Sequence, residues 1–409
     1  MIPISRGEDW LTQQLGRRAL SKPEVVEAVN EILLQVREHG DVALAEIARR
    51  FGDPAPRTVD FTGHASALSE DVREVLGKAA KRIEEFATKV VESLQSVSVE
   101  HDGFKTGLSY APVESAACYV PGGRYPLPST ALMTAITARV SGVSKVSILT
   151  PSTHPAVLYA AELARVDAVY QIGGAQAVGA VGYGTPMVPR HDIVVGPGNA
   201  YVTEAKRQLQ GVIGIDMLAG PSEVTVVADG DARADWIALD LLAQAEHDPD
   251  ARVYLLTPSR DLAEKVSAEI GRLLKELELP SFLEASLPHS ALLVFDSIEA
   301  CLRATDHIAP EHLHLHSPKW RDEVRHFGGL FLGQSATVPF GDYMAGPNHT
   351  LPTGRTARFT AGLSPLTFLR PQSWLEVTDA RGLAQDTAVF ANLEGLNGHA
   401  AAARARVQP

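Results

Sequence analysis

Apolar positions first recur with helical spacing: Val25, Val29, Ile32, Leu33 and Val36 share one face, and Ser21 with Glu24 forms a capping box ahead of them. Gly40 stops this pattern. A second helical stretch covers about 69–94, with Leu76, Ala79, Ala80, Ile83 and Phe86 along it, so the first hundred residues read as mostly helical with a polar surface. After the segment Tyr119-Val120-Pro121-Gly122-Gly123 the texture changes. Short runs rich in β-branched residues cover 143–150, 168–172, 192–195 and 224–228, separated by helical stretches near 154–164, 175–181 and 200–210. That alternation predicts parallel βαβ units, which bind ligands at the carboxyl ends of their strands, and a nucleotide-type half-domain is its natural reading. A helix over 232–247, a strand over 253–257, another helix and a strand over 291–295 predict a second α/β unit behind the first. From about Phe340 the chain is rich in loops, and a helical piece ends at Glu394-Gly395-Leu396-Asn397-Gly398-His399.

Composition narrows the partners. The chain has 409 residues, with Lys+Arg 37 against Asp+Glu 49 and a net charge of −12. An acidic surface without a basic run offers no footprint for nucleic acid or an anionic membrane, so neither is expected as a partner. Cys118 and Cys301 are far apart and lack CxxC spacing, which leaves no disulfide framework or cysteine zinc site to read and fits a reducing, cytoplasmic setting. The first ten residues lack the basic-then-apolar order of a signal peptide, and no stretch approaches a membrane span of roughly 20 apolar residues.

The familiar short motifs are absent: no GxGxxG after the first parallel strand, no GxxxxGK[ST], no HExxH and no GxSxG. Two glycine-rich turns, Gly173-Gly174-Ala175-Gln176 and Gly196-Pro197-Gly198-Asn199, each follow a predicted strand and open a predicted helix. Backbone N–H groups there can hold a phosphate or pyrophosphate. Backbone geometry explains either turn alone as well; two in one βαβαβ unit favour a ligand.

Gln244 and His247 project from one face at the end of a helix, where they can chelate, although a dipole-favoured cap explains the pair as cheaply. Glu311-His312-Leu313-His314-Leu315-His316 alternates with period two, putting three histidines on one face of a strand. At most one of them is expected to act, since such a face is often simply solvated. Pro310 favours a strand starting at a sheet edge, with Glu311 and His312 emerging beside a cleft as an acid/base pair. Asp342 and His349, in the loop Gly341-Asp342-Tyr343-Met344-Ala345-Gly346-Pro347-Asn348-His349, are candidate ligands, with an Asx turn the plainer account of Asp342. Glu394 and His399 stand in a glycine-punctuated tail, which acts only if it docks somewhere.

In their order along the chain these elements resemble the histidinol dehydrogenase family. The matching segments are Tyr119 to Gly123, Gly173 to Ala177, Val195 to Val202, Ile215 to Glu223, Gln244 to His247, Ala309 to Leu313, Gly346 to His349, and Glu394-Gly395-Leu396 with His399. The resemblance implies an α/β fold of two incomplete Rossmann-like domains, of the aldehyde dehydrogenase kind, in an intertwined homodimer. Pattern and resemblance together divide the chain into an arm at 1–20, a discontinuous first domain over 21–120 and 229–365, a second over 121–228, and a C-terminal helical arm over 366–409.

The resemblance further implies Gln244, His247, Asp342 and His399 as ligands of one Zn2+ per subunit, and Glu311 with His312 as the acid/base pair. Ser222, Gln244, His247, His312, Asp342, His349, Glu394 and His399 would surround L-histidinol, while Tyr119, Gln176 and Asn199 would contact NAD. Glu394 and His399 would come from the partner subunit. The implied activity is the four-electron oxidation of L-histidinol through L-histidinal to L-histidine, the last steps of histidine biosynthesis. Arg124, Arg355 and Arg358 lie in stretches that depart from the commonest family form. They suggest an anionic alternative substrate such as 2,3-dihydroxypropane-1-sulfonate, oxidised to sulfolactate, unless they are plain surface arginines. A zinc- or nucleotide-binding module without catalysis is the contrasting class; it would lack the pair that Glu311-His312 supplies. A zinc hydrolase would need an open coordination position, which a fourth protein ligand removes.

Overall fold

A computed structural model describes residues 2–14, 22–122 and 125–407. Ser21 of the capping box, Gly123 and Arg124 lie outside the described residues. Two six-stranded sheets and a three-stranded antiparallel ribbon organise the chain.

The first sheet has the order Arg57–Val59, Ala168–Gln171, Lys145–Thr150, Ser115–Tyr119, Ile193–Val195, Gly214–Ile215, with all pairs parallel except the outer Arg57–Val59. Its central strand, Ser-Ala-Ala-Cys-Tyr, is buried along its whole length, as expected where helices cover both faces. Ala116 and Cys118 point to one face, under the helices Glu70–Ser93 and Pro128–Val140; Ala117 and Tyr119 point to the other, under Pro23–Phe51 and Gly174–Tyr183. Gly40 sits at φ 51 and breaks the helical geometry inside Pro23–Phe51, so the interruption read from the sequence is a kink after which the chain turns helical again.

This packing corrects the expected domain division. Residues 21–120 were assigned to 229–365, yet their two long helices bury Val29, Ile32, Leu33, Ala79 and Ile83 against the 115–215 sheet. Strand 224–228, read as part of the first unit, forms as Glu223–Val227 in the second sheet. That sheet is parallel throughout, in the order Ile4–Arg6, Ala291–Val294, Arg252–Thr257, Glu223–Val227, His312–Leu315, Gly329–Leu332. Residues 4–6 of the N-terminal arm therefore form one of its outer strands, followed by the helix Gly7–Gln14. The helices Ala234–Ala245 and Arg260–Glu276 cover one face and Ile298–Ile308 the other.

His312–Leu315 is flanked on both sides, so it is an interior strand and not an edge. The three histidines do share a side, but it is buried: exposures are 3% for His312, 0% for His314 and 6% for His316. Both faces of a parallel sheet are covered, so the histidines lie under a helix and not in solvent, with polar partners for His312 and His314.

The ribbon pairs Val97–His101 with Phe104–Pro112 and the latter with Leu369–Val377. The C-terminal arm thus begins as a strand before its helices Arg381–Leu393 and Asn397–Arg404. Those two helices pack through Ala388, Ala391 and Ala400 and leave Phe390 and Leu393 exposed. Among the described residues no helix is long and apolar enough to cross a membrane.

Candidate active site

In the first sheet the chain steps from Ser115–Tyr119 outward to one side and returns on the other with Ile193–Val195, so the point where strand order reverses lies between these two strands. The turn Gly196-Pro197-Gly198-Asn199 opens there, while Gly173-Gly174 follows Ala168–Gln171, two strands away from Ser115–Tyr119. Gly196 follows the returning strand at φ +111, and a Cβ on it would stand 2.2 Å from the Tyr119 carbonyl oxygen, so only glycine fits. The turn is pinned by a buried ion pair: Lys206 Nζ donates to the Gly196 carbonyl at 2.5 Å and to Asp216 Oδ1 at 2.7 Å, while Asp216 Oδ2 accepts the Gly196 N–H at 2.7 Å. The sequence carried no sign of this pair, because its members lie ten residues apart and meet only through the fold.

The Tyr119 hydroxyl accepts the Gly174 N–H at 3.1 Å, and burial pushes it up to about 12. Gln176 lines a cleft with Asp53, Pro54, Pro151 and Gly173. Asn199 is exposed and caps its helix, accepting from the N–H groups of Tyr201 and Val202. Tyr119 and Gln176 thus meet around the Gly173-Gly174 turn, Tyr119 through its bond to Gly174 and Gln176 in the cleft beside Gly173, while Asn199 opens the helix after the other turn; both turns follow the carboxyl ends of strands, where open α/β sheets bind ligands.

The second cluster breaks that rule, for it forms at the amino ends of the second sheet. Glu311 immediately precedes its strand and accepts the Glu223 N–H at 2.8 Å through Oε2, an oxygen that also stands 3.5 Å from His312 Nδ1. His312 Nδ1 faces the Glu223 carbonyl at 3.2 Å. A carbonyl can only accept, so Nδ1 carries a proton and Nε2 is left to face Asp342 Oδ1 at 3.5 Å. Burial lowers the His312 pKa, but Glu311 and Asp342 outweigh it and raise it to about 10. Burial likewise opposes ionisation of Asp342, and the His312 ring overcomes it, with His349 and His247 adding to the pull, leaving this carboxyl below its ordinary value.

Gln244 and His247 stand at the same end, Gln244 Nε2 being 3.4 Å from His247 Nδ1. Gln244 Oε1 is buried and has no hydrogen-bond partner among the described residues. His349 Nδ1 donates to the Asp342 carbonyl and its Nε2 meets the Thr130 hydroxyl, both at 3.1 Å; burial lowers its pKa. Thr130 opens the Pro128–Val140 helix of the first unit, and Asn348 donates to Met133 O on the same helix, so the 342–349 loop bridges the two units. Ser222, half-buried, precedes Glu223, and its carbonyl accepts the Arg252 N–H. Glu223, unassigned from sequence, accepts the Gly354 N–H and so ties the 354 loop to the cluster.

Glu394 and His399 are exposed on the C-terminal arm and form no hydrogen bond with the cluster. Among the described residues no three His, Cys, Asp or Glu side chains converge as a metal site. Arg358 donates to the Asp306 carbonyl at the surface, which favours the plain reading of that arginine.

A profile of the histidinol dehydrogenase family matches residues 15–407. The chain belongs to this family. It is 41% identical to the histidinol dehydrogenase of Nitrosomonas europaea, over 97% of this chain and 96% of that protein. Against the histidinol dehydrogenase of Aquifex aeolicus it is 40% identical, over 98% of both. The crystal structure of histidinol dehydrogenase from Elizabethkingia anophelis superposes with a TM-score of 0.93 at 30% identity, covering 99% of this chain and 98% of that one. Family membership makes the chain an oxidoreductase and accords with the order of segments read from the sequence.

Proposed function

We propose that the chain oxidises L-histidinol through L-histidinal to L-histidine with NAD and one zinc ion per subunit, as a homodimer. The observation that carries the reading is His312, held by Glu223 through Nδ1 and presenting Nε2 at the junction of the two units. The residues fit a metal: an orphaned buried amide oxygen on Gln244, the His247 imidazole and the Asp342 carboxylate form a mixed N/O donor set suited to zinc. His399 would complete it, delivered with Glu394 by the arm of the second subunit. The paired glycine turns beside Tyr119, Gln176 and Asn199 fit a dinucleotide. Bound there, NAD would supply the hydride acceptor for each half-reaction, and zinc held by Gln244, His247, Asp342 and His399 would supply a template for the substrate's nitrogen groups.

The alcohol, one water and two NAD become the carboxylate, two NADH and three protons, so the chain must handle protons and position. His312 Nε2 takes the alcohol proton. Glu311 takes a proton from the water that adds to the aldehyde, giving the hydrate from which the second hydride leaves. Asp342 keeps His312 protonated as long as it is free to do so; committed to a cation it no longer raises the ring, which then titrates closer to neutrality. Glu394 complements the substrate ammonium, while Ser222 and His349 line the pocket.

The test is NADH formation from L-histidinol by the zinc-loaded protein, beside 2,3-dihydroxypropane-1-sulfonate and a chelator control. About two NADH per histidinol, lost on chelation, is the expected result. Turnover of the sulfonate alone would overturn the substrate and keep the mechanism.

A further inference from the structure

Asp240 lies one helical turn before Gln244 on Ala234–Ala245, on the same face, and is 7% exposed. Both of its carboxyl oxygens are engaged. Oδ2 meets Nδ1 of the fully buried His314 ring at 3.2 Å, and Oδ1 accepts the Thr337 hydroxyl at 2.6 Å. His314 Nε2 donates to the Gly333 carbonyl at 2.9 Å, so its ring is held from both sides.

Each partner sits on an element that delivers a residue of the candidate site. His314 is two positions beyond His312 on the same strand. Thr337 is the cap residue of the helix Val338–Tyr343, which holds Asp342. Gly333 directly follows the strand Gly329–Leu332 that leads to that helix. Asp240's own helix carries Gln244 one residue before its end at Ala245, with His247 two residues past that end.

We propose that Asp240, through His314 and Thr337, is the positioning residue that sets the register of these three elements, so that Gln244, His247, His312 and Asp342 meet. This inference rests on the metal-site reading above. The apolar contacts between the helix and the sheet are non-directional and do not by themselves prevent a small slide. Hydrogen bonds to a buried carboxylate are directional and about twice as strong as neutral ones. A shift at Asp240 passes to Gln244 because a helix is stiff over the four residues, about 6 Å, that separate them. None of the three residues touches the reacting atoms.

The experiment uses the full chain and the variants Asp240→Ala, Asp240→Asn and Thr337→Val. Zinc affinity is measured by competition with a chromogenic chelator, the site geometry by the visible spectrum of the cobalt(II)-loaded protein, and folding by metal-free melting. Asp240→Ala should weaken zinc binding by about 10–100-fold and alter the cobalt spectrum. Asp240→Asn should restore most of the affinity, because its oxygen still accepts from Thr337 and its NH2 can donate to a neutral His314. Thr337→Val should weaken binding by a smaller factor, and it carries the test if Asp240→Ala does not fold. Wild-type affinity and an unchanged cobalt spectrum in the folded variants would overturn the proposal. A wild-type chain that takes up no zinc would overturn the metal-site reading itself, whatever the variants do.

Discussion

Replacing Glu311 by Gln should separate the two proposed half-reactions. The amide oxygen can still accept the Glu223 N–H that Glu311 Oε2 accepts at 2.8 Å, so the local backbone is retained. What disappears is the charge and the ability to take a proton. A general base contributes about 10²–10⁴ in rate, so the hydration and oxidation of the aldehyde should slow by that factor, about 3–5 kcal/mol on its barrier. The alcohol step should behave differently. Burial lowers the His312 pKa while Glu311 and Asp342 raise it to about 10; with Asp342 committed to a cation, deleting Glu311 removes the raising charge that remains. The ring then titrates lower and remains available as a base, so the alcohol step should stay within about tenfold of wild type, with the lower limb of its pH profile moved downward. L-histidinal with NAD reads the aldehyde step, and L-histidinol with NAD and an aldehyde trap reads the alcohol step. Equal loss in both assays would refute the division of roles.

Coexpressing His312→Asn chains with His399→Ala chains should restore roughly a quarter of wild-type activity, since each mixed dimer of a pair exchanging arms holds one intact site; no recovery would place His399 in its own subunit's site or outside any site. Chelation should abolish NADH formation and lower the melting temperature, with zinc restoring both, because a ligand bound only by the native state stabilises it by mass action. Burial and the neighbouring His314 lower the His316 pKa to about 4, below the value of about 6.5 in the unfolded chain. Its contribution is therefore complete above pH 6.5 and erodes as pH falls toward 4, by about 2 kcal/mol between pH 6.5 and 5. Chemical denaturation of His316→Gln at those two pH values should show a stability loss smaller by about that amount, and an unchanged loss would remove His316 from the acid response.

Local pattern made the helices and parallel strands legible: Glu70–Ser93, Lys145–Thr150, Ala168–Gln171 and Arg252–Thr257 lie where periodicity put them. The ribbon strands Val97–His101 and Phe104–Pro112 were missed, although Asp102-Gly103 between them is a turn signal; both strands are short of buried positions, so their alternation is weak. For the site, residue types and order were enough to nominate Glu311, His312, Gln244, His247 and Asp342, because each sits in a short segment whose chemistry is local.

The sequence by itself determined which residues carry apolar faces, where the backbone needs glycine and which side chains can move protons or hold a metal. Only the tertiary structure decided that Val29 and Ile83 face the first sheet, that Glu223–Val227 belongs to the second, and that the histidine strand is interior. It alone put Glu311 and His312 at the amino ends of their sheet and joined Asp240 to His314 across 74 residues of chain. The reason is physical: an amphipathic segment specifies that a face must be covered and not what covers it, and directional polar contacts form only after that choice has been made.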